Sequence, residues 1–413
     1  WKPKRAIFLS VGDIITMSSP KVPTTPFQYH FALHPKIYVA PYTPTPIETI
    51  NADINKKEWS SVPWSSNFDD IRGNDAPPEE RPSAECRTRF KMMWDNEYLY
   101  ILATVESNME VRATFTERNS PIYQQDSDFE VFVDPLSSCH YYKELEVNPI
   151  NTVWNLMLDK PYWDGGSEHS GRIAHPGDAN YYDVEHQKTA VKVLEGNIND
   201  PGENQRAVWA VEIALSHQDT LKHLTAKGRG NNKDLLPVIG DLWRLNFSRV
   251  EKKGETNWTW QEQRVWDALL CKYIGKVDMH LPDAWGYVEF GSSMSSFSNS
   301  NRPRAPGEIP AAKIQNGEGD PWWPLKLTVT NVYYAQRQYK DVHGKFADNL
   351  DSLKNLLDSK IFDPLDPSLM KLSLSDGGYF FEVTSEALCQ TVSITHERLI
   401  KTKLTGTVEI KEN

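Results

Sequence analysis

The sequence predicts an antiparallel β-sandwich of the jelly-roll or immunoglobulin-like kind, followed by a small α+β unit. Three observations carry that expectation. Short stretches with apolar residues at every second position recur between residues 36 and 291, each bounded by turn residues. No amphipathic helical period lies between them, so neighbouring strands connect by turns rather than by helical crossovers. Beyond a Ser/Asn/Pro/Gly-rich stretch at 292–319 the period becomes helical, with Leu325, Val329, Val332, Tyr333 and Gln336 falling on one face.

Residues 1–35 are rich in Pro and Ser without a sustained period and read as an extended arm. Within it, Lys2-Pro3-Lys4-Arg5 ahead of Ala6-Ile7-Phe8-Leu9 resembles the opening of a signal peptide, although Asp13 cuts the apolar run short. Ile37-Tyr38-Val39 is a short strand. Thr88, Phe90, Met92 and Trp94 alternate with Arg89, Lys91 and Met93. Asp95-Asn96-Glu97 then turns the chain into Tyr98, Tyr100 and Leu102, giving a hairpin over 87–105. Phe129, Val131 and Val133 alternate with Asp128, Glu130 and Phe132, and Leu145 and Val147 with Glu144, Glu146 and Asn148, so 126–147 holds a second strand pair. Residues 154–171, rich in Trp, Tyr, Gly and Asp, read as a long loop. Residues 191–194 and 207–215 form a hairpin, and Ser216 caps a short helix. Trp243, Leu245 and Phe247 alternate with Arg244, Asn246 and Ser248, three tryptophans fall in 258–266, and 285–290 closes the series. After the linker come a helix ending near Asp341, a second one over 350–357 stopped by Pro364 and Pro367, and a strand pair at 378–384 and 391–396. The expected organisation is an arm (1–35), a sandwich (36–291), a linker without core residues (292–319) and an α+β domain (320–413).

Composition narrows the function. A net charge of −11 and an acidic pI near 5.5 argue against nucleic acid or an anionic membrane surface as partner. No apolar run reaches the ~18 residues of a membrane span. Four cysteines (Cys86, Cys139, Cys271, Cys389) allow three pairings or free thiols, and none sits at zinc-finger spacing. Fourteen Trp and seventeen Tyr provide aromatic surface of the type on which sugar rings stack, although all-β cores also consume it.

The polar phase of the strands supplies the candidate site. Arg89, Lys91, Glu130, Glu146, Asn148 and Arg244 are out of phase with the apolar residues, which predicts that they share one polar face, with Tyr123, Trp154 and Trp163 at its rim. Carboxylate, amide and guanidinium groups offer the paired hydrogen bonds that vicinal hydroxyls take up. A neutral polyhydroxylated ligand therefore suits the face, and a wet outer face of a sandwich with Glu130 in a salt bridge is the plainer alternative. A glycosidase pair of Glu130 and Glu146 lacks a partner marked by apolar burial, so no catalysis is expected. Haem would need ligands from Met92, Met93, His140, His169 and His175, and no attachment motif is present. A structural or surface-assembly role remains a third class, and the C-terminal unit could take a protein partner. Of the two glycosylation sequons, Asn246 is mid-strand and Asn257 is the acceptor candidate.

Six phrases, RTRFKMMWDNEYLYILATV (87–105), DSDFEVFVDP (126–135), YYKELEVNPINTVWNLMLDKPYWDGG (141–166), AVWAVEIAL (207–215), DLWRLNFSRVE (241–251) and WGYVEFG (285–291), resemble in order and spacing those of family 9 carbohydrate-binding modules. The stretch 322–353 is similar to a tail that often follows such modules. The resemblance implies a sandwich whose concave face holds an oligo- or polysaccharide, no catalysis, an extracellular or cell-surface location, and Glu130 on a ligand-contacting position. It also implies departures. The two stacking positions fall near Tyr123 or Gln124 and at Met279, so a pair of indoles is absent, and Glu146 stands where some members carry a basic residue. The loop after Asp134 (Leu136-Ser137-Ser138-Cys139) lacks the carboxylates a calcium site there would need, so no cofactor is expected.

Overall fold

A computed structural model describes residues 24–200, 206–224, 235–294 and 304–405 of the chain. Helix α1 (Thr24–Ala32) leads into strands β1 (Ile37–Tyr42), β2 (Asp69–Asp70), β3 (Thr88–Trp94), β4 (Tyr98–Ser107), β5 (Asp128–Asp134), β6 (Tyr142–Val147), β7 (Val153–Leu158), β8 (Glu168–Ser170), β9 (Lys188–Glu195) and β10 (Ala207–Ser216). Helix α2 (His217–Thr220) follows, then β11 (Leu242–Glu251), β12 (Thr256–Thr259), β13 (Arg264–Asp267), β14 (Lys272–Gly275), β15 (Gly286–Ser293) and β16 (Gly307–Glu308). The C-terminal part holds α3 (Ala311–Lys313), α4 (Trp323–His343), α5 (Ser359–Phe362) and β17 (Met370–Ser375), β18 (Gly378–Ser385), β19 (Gln390–Thr395) and β20 (Ile400–Leu404).

One hydrogen-bonded path, β8-β7-β6-β5-β11-β15-β1-β3-β4-β10-β9, folds back on itself. The β5–β7, β11 and β15 half faces the β3, β4 and β10 half across a single core. Phe129, Val131, Leu145, Trp243 and Phe247 from the first half meet Phe90, Met92, Ile101, Trp209 and Val211 from the second. The period-two pattern thus builds the predicted sandwich. Pairing is antiparallel except at β1, which runs parallel to β15 and to the end of β3.

The outer face of each half is covered in turn, which is why many strands are buried on both sides. Over β3, β4 and β10 lie Ile47, Trp59 and Val62. Trp59 donates its indole N–H to Glu212, and Lys56 pairs with the same carboxylate at 2.6 Å. Over β11 and β15 lies the C-terminal unit, where α4 packs on the four-stranded sheet β17-β18-β19-β20. Pro324 in its first turn and Gly344 in the left-handed conformation (φ 73°) after its last residue delimit that helix. The core of this unit is shared with the sandwich. Val265, Trp266, Leu281 and Ala284 join Leu325, Val332, Tyr379 and Val392 in one apolar cluster.

Several expectations change. The stretch 24–32, expected within an extended arm, is helical, because Phe27 and Phe31 bury against Trp323 and Leu327. The signal-peptide-like phrase lies outside the described residues. Where a linker without core residues is expected, β16 pairs with β1, and Ile309 and Ile314 join Ile37, Val39 and Tyr287. Residues 154–158, expected in a loop, belong to β7: its sequence VWNLML lacks a polar phase because both faces are covered. The second C-terminal helix shrinks to a 3-10 turn at Asp351–Leu353 and the short α5. All four cysteines are unpaired.

An acidic cleft as candidate functional site

Strand register places the site. On the outer face of the β5 side, Ser248 of β11 pairs with Glu130 of β5, Glu130 with Glu146 of β6, and Glu146 with Trp154 of β7. The next rung runs Asn246, Phe132, Glu144 and Leu156. Asp128, two residues before Glu130, shares its face. The two rungs form the floor of a cleft of about 380 Å³, and Tyr123, Gln124, Tyr162, Arg172, Met279 and His280 are among its walls.

The floor is apolar in shape and acidic in charge. Donor oxygens of Asp128, Glu130 and Glu146 lie within 4.8 Å of one another, and all three residues are buried. Among the described residues none of the three is ion-paired. Burial pushes the Glu130 carboxyl up to about 7. Burial, and then the neighbouring Glu130 charge, raises Asp128 and Glu144; burial followed by Asp128, Glu130 and Glu144 raises Glu146. Asp128 Oδ1 accepts from the Val250 N–H at 3.1 Å and Glu146 Oε2 from the Tyr123 N–H at 3.1 Å. Asp128 Oδ2, Glu146 Oε1 and the Trp154 indole Nε1 have no hydrogen-bond partner, and the Glu144 carboxyl is hydrogen-bonded to that of Glu146. The nearby cation, Arg172, is committed to Glu168 and lies over the Trp154 ring at 5.2 Å. His280 lies 4.0 Å from Glu144, and burial lowers its pKa to about 4. Tyr123 stacks on Trp154 (centroids 6.2 Å, 13°), so the two rings are near parallel, with Tyr123 the exposed member and Trp154 buried.

Of the residues predicted from sequence, Tyr123, Glu130, Glu146 and Trp154 meet in this cleft, and the others do not. Arg89 and Lys91 lie on the outer face of the opposite half, over the Trp64 ring, and Lys91 donates to Trp59 O at 2.7 Å. The alternation is correct, but folding the sheet in two separates their outer face from that of β5. Arg244 shares the β11 outer face, yet its guanidinium sits over Tyr287 and Trp323 beneath the C-terminal unit. Asn148 closes the β6–β7 turn by accepting from Thr152 N and donating to Phe115 O and Asp126. Trp163 is exposed against Arg337 of α4 and does not line the cleft. The sequon residue Asn257 does line it, half-buried, and accepts from the Ser248 hydroxyl, so a glycan there would fill the cleft. Met92 and Met93 belong to different clusters on opposite faces of β3, and His140 donates to Glu397 O, which separates three of the haem-ligand candidates. Asp134 accepts from the backbone N–H groups of Leu136 and Cys139 and so closes its own turn.

Sequence reasoning places Asp128 and Glu144 on the acidic face with Glu130 but leaves them out of the ligand-binding set. It had no signal for Glu168 and Arg172, which β8 delivers from an apparent loop, or for His280.

A second buried network fixes the cleft wall. Asp164, in the turn after Tyr162, pairs with Arg337 of α4 at 2.8 Å and with Arg398 at 3.1 Å, and Arg398 also holds Asp283 at 2.9 Å.

Solved structures that resemble the chain include the following. A candidate carbohydrate-binding protein from Bacteroides uniformis ATCC 8492 is 14% identical over 62% of this chain and 99% of its own, with a TM-score of 0.41. A family 9 carbohydrate-binding module from Caldicellulosiruptor kristjanssonii, in complex with cellotriose and with glucose, is 17% identical over 65% of this chain and 100% of its own, with TM-scores of 0.35 and 0.34. No curated protein matches the chain. Residues 50–154, through the strands that carry Asp128, Glu130, Glu144, Glu146 and Trp154, match the model of the carbohydrate family 9 binding domain-like family.

Proposed function

We propose that the cleft binds a carbohydrate, as an oligo- or polysaccharide segment, without cleaving it, and that it does so outside the cell or at its surface, where such polymers occur. The observation that carries the reading is the exposed Tyr123 ring, backed by the buried Trp154 on which it stacks, beside the carboxyl groups of Glu130, Glu144 and Glu146 that line the same cleft. An exposed aromatic ring covers the C–H face of a sugar while carboxyl groups take its hydroxyls. The family description for residues 50–154 supports the same ligand class.

Non-catalytic binding fits the carboxylate geometry. Hydrolysis of a glycosidic bond needs two carboxyls about 5–9.5 Å apart that flank the bond. Burial does give Glu130 the raised pKa, about 7, that the sequence left unmarked, but Glu146 is its cross-strand neighbour on the same floor and does not face it across a bond. A glycan array followed by titration of the best hit through tryptophan fluorescence tests the reading. Binding that weakens in Tyr123→Ala, with no reducing sugar released, is the expected result. An array without hits, or reducing sugar released by wild type and lost in Glu130→Gln, would overturn it.

A further inference from the structure

We infer that Asp128, Glu130 and Glu146 form a site for a divalent, oxygen-preferring cation such as calcium, where Glu130 and Glu146 line the cleft and the buried Asp128 stands beside them. The three carboxylates come from adjacent antiparallel strands, and Glu130 and Glu146 are direct cross-strand partners. Like charges placed opposite one another destabilise a sheet unless something lies between them. Calcium binds six to eight oxygens at about 2.3–2.6 Å, so two oxygens bound to the same ion are at most about 5 Å apart. The mutual limit of 4.8 Å meets that condition.

The orphaned oxygens point the same way. Asp128 and Glu146 each use one oxygen on a backbone N–H and leave Oδ2 and Oε1 without a partner. Glu144, on the adjacent rung, lines the same cleft and is hydrogen-bonded to Glu146. A buried acceptor without a partner is costly, so Asp128 Oδ2 and Glu146 Oε1 together mark a position that a ligand completes. The protein does not complete it from within, because Arg172 is held by Glu168. The floor opens into the cleft, where water or vicinal hydroxyls would fill the remaining coordination positions. That last role rests on the carbohydrate reading, whereas the cation site does not.

The experiment uses the full chain, stripped with a chelator and then titrated with calcium by calorimetry and with terbium by luminescence excited through tryptophan. Trp154 lies in the next rung position beside Glu146 and would sensitise the terbium. The expected result is a site of micromolar to millimolar affinity, about 10⁻⁶–10⁻³ M, with terbium emission displaced by calcium. Glu146→Gln and Asp128→Asn should each weaken it at least about tenfold, and near-UV circular dichroism shows whether each is folded. If either variant fails to fold, the wild-type titration decides. Absence of calcium heat and of sensitised emission in wild type overturns the inference, as does unchanged affinity in both folded variants. A protonated amino-sugar oligomer that binds the chelated protein through these carboxylates, with no calcium uptake, also overturns it. Sugar binding that persists in chelator without calcium uptake removes the cation and leaves the carbohydrate reading standing. Calcium uptake without an array hit does the reverse.

Discussion

Buried carboxylates set the behaviour of the cleft residue by residue. Asp128, Glu130, Glu144 and Glu146 have folded pKa values above those of the unfolded chain, so the folded protein holds more protons. Their contribution is fully present below the ordinary carboxylate range and is lost as pH rises through the Glu130 value of about 7. In chelator, the melting temperature should fall between about pH 4.5 and about pH 7, and Glu130→Gln should flatten that decline. An equal decline in the variant would place the titrating group elsewhere. At the aromatic wall, Tyr123 is 40% exposed, so its removal costs little packing. Loss of one stacking partner is worth about 0.5–1.5 kcal/mol, which is up to about a tenfold drop in sugar affinity. Tyr123→Ala should show that drop, whereas Trp163→Ala should bind as wild type. The reverse ranking by isothermal titration would move the site to the surface around α4.

Among the elements, strands were legible wherever one face stayed polar. The 87–105 hairpin, β5, β6 and β11 all followed from alternation, because Arg89, Glu130, Glu144 and Arg244 kept the period visible. β7 was not, since Trp154, Leu156 and Leu158 face one apolar cluster while Val153 faces another. Face membership on a single strand was also legible, but which faces meet was not. Alternation says that Lys91 and Glu130 both point away from the core; only the fold-back at β1 decides that they point in opposite directions. Arg89 and Lys91 were lost from the predicted site at that step. The connection between elements also depends on Arg398, which is fully buried between Asp164 and Asp283. Removing one member of a buried ion network typically costs about 3–5 kcal/mol. Arg398→Met should lose stability of that order by denaturant unfolding, and a double-mutant cycle with Asp283→Asn should reveal strong coupling. A loss below about 1 kcal/mol would mean that solvent screens the network.

At the scale of the whole molecule, the apparent linker misleads. Pro, Ser, Asn and Gly composition at 292–319 suggests two independent pieces, yet Ile309 and Ile314 are core residues and the C-terminal core includes Trp266 and Leu281. Shared apolar surface of this kind couples the unfolding of both parts. Calorimetry of the full chain should therefore show one cooperative transition, and a fragment ending at residue 291 should be soluble only poorly, with Val265, Trp266 and Leu281 exposed. Two well-separated transitions would show that the parts melt independently.

The Asp164 network ties the turn that carries Tyr162 to α4 and to Arg398, at the far end of the sequence. Any ligand that orders this wall therefore also favours the docked state of the C-terminal unit, and by thermodynamic reciprocity docking raises the affinity for that ligand. Amide hydrogen exchange would register the linkage as slower exchange across α4 when the cleft is filled, at residues the ligand never touches. Equal exchange with and without ligand would mean that the two ends of the chain share a wall but exert no influence across it.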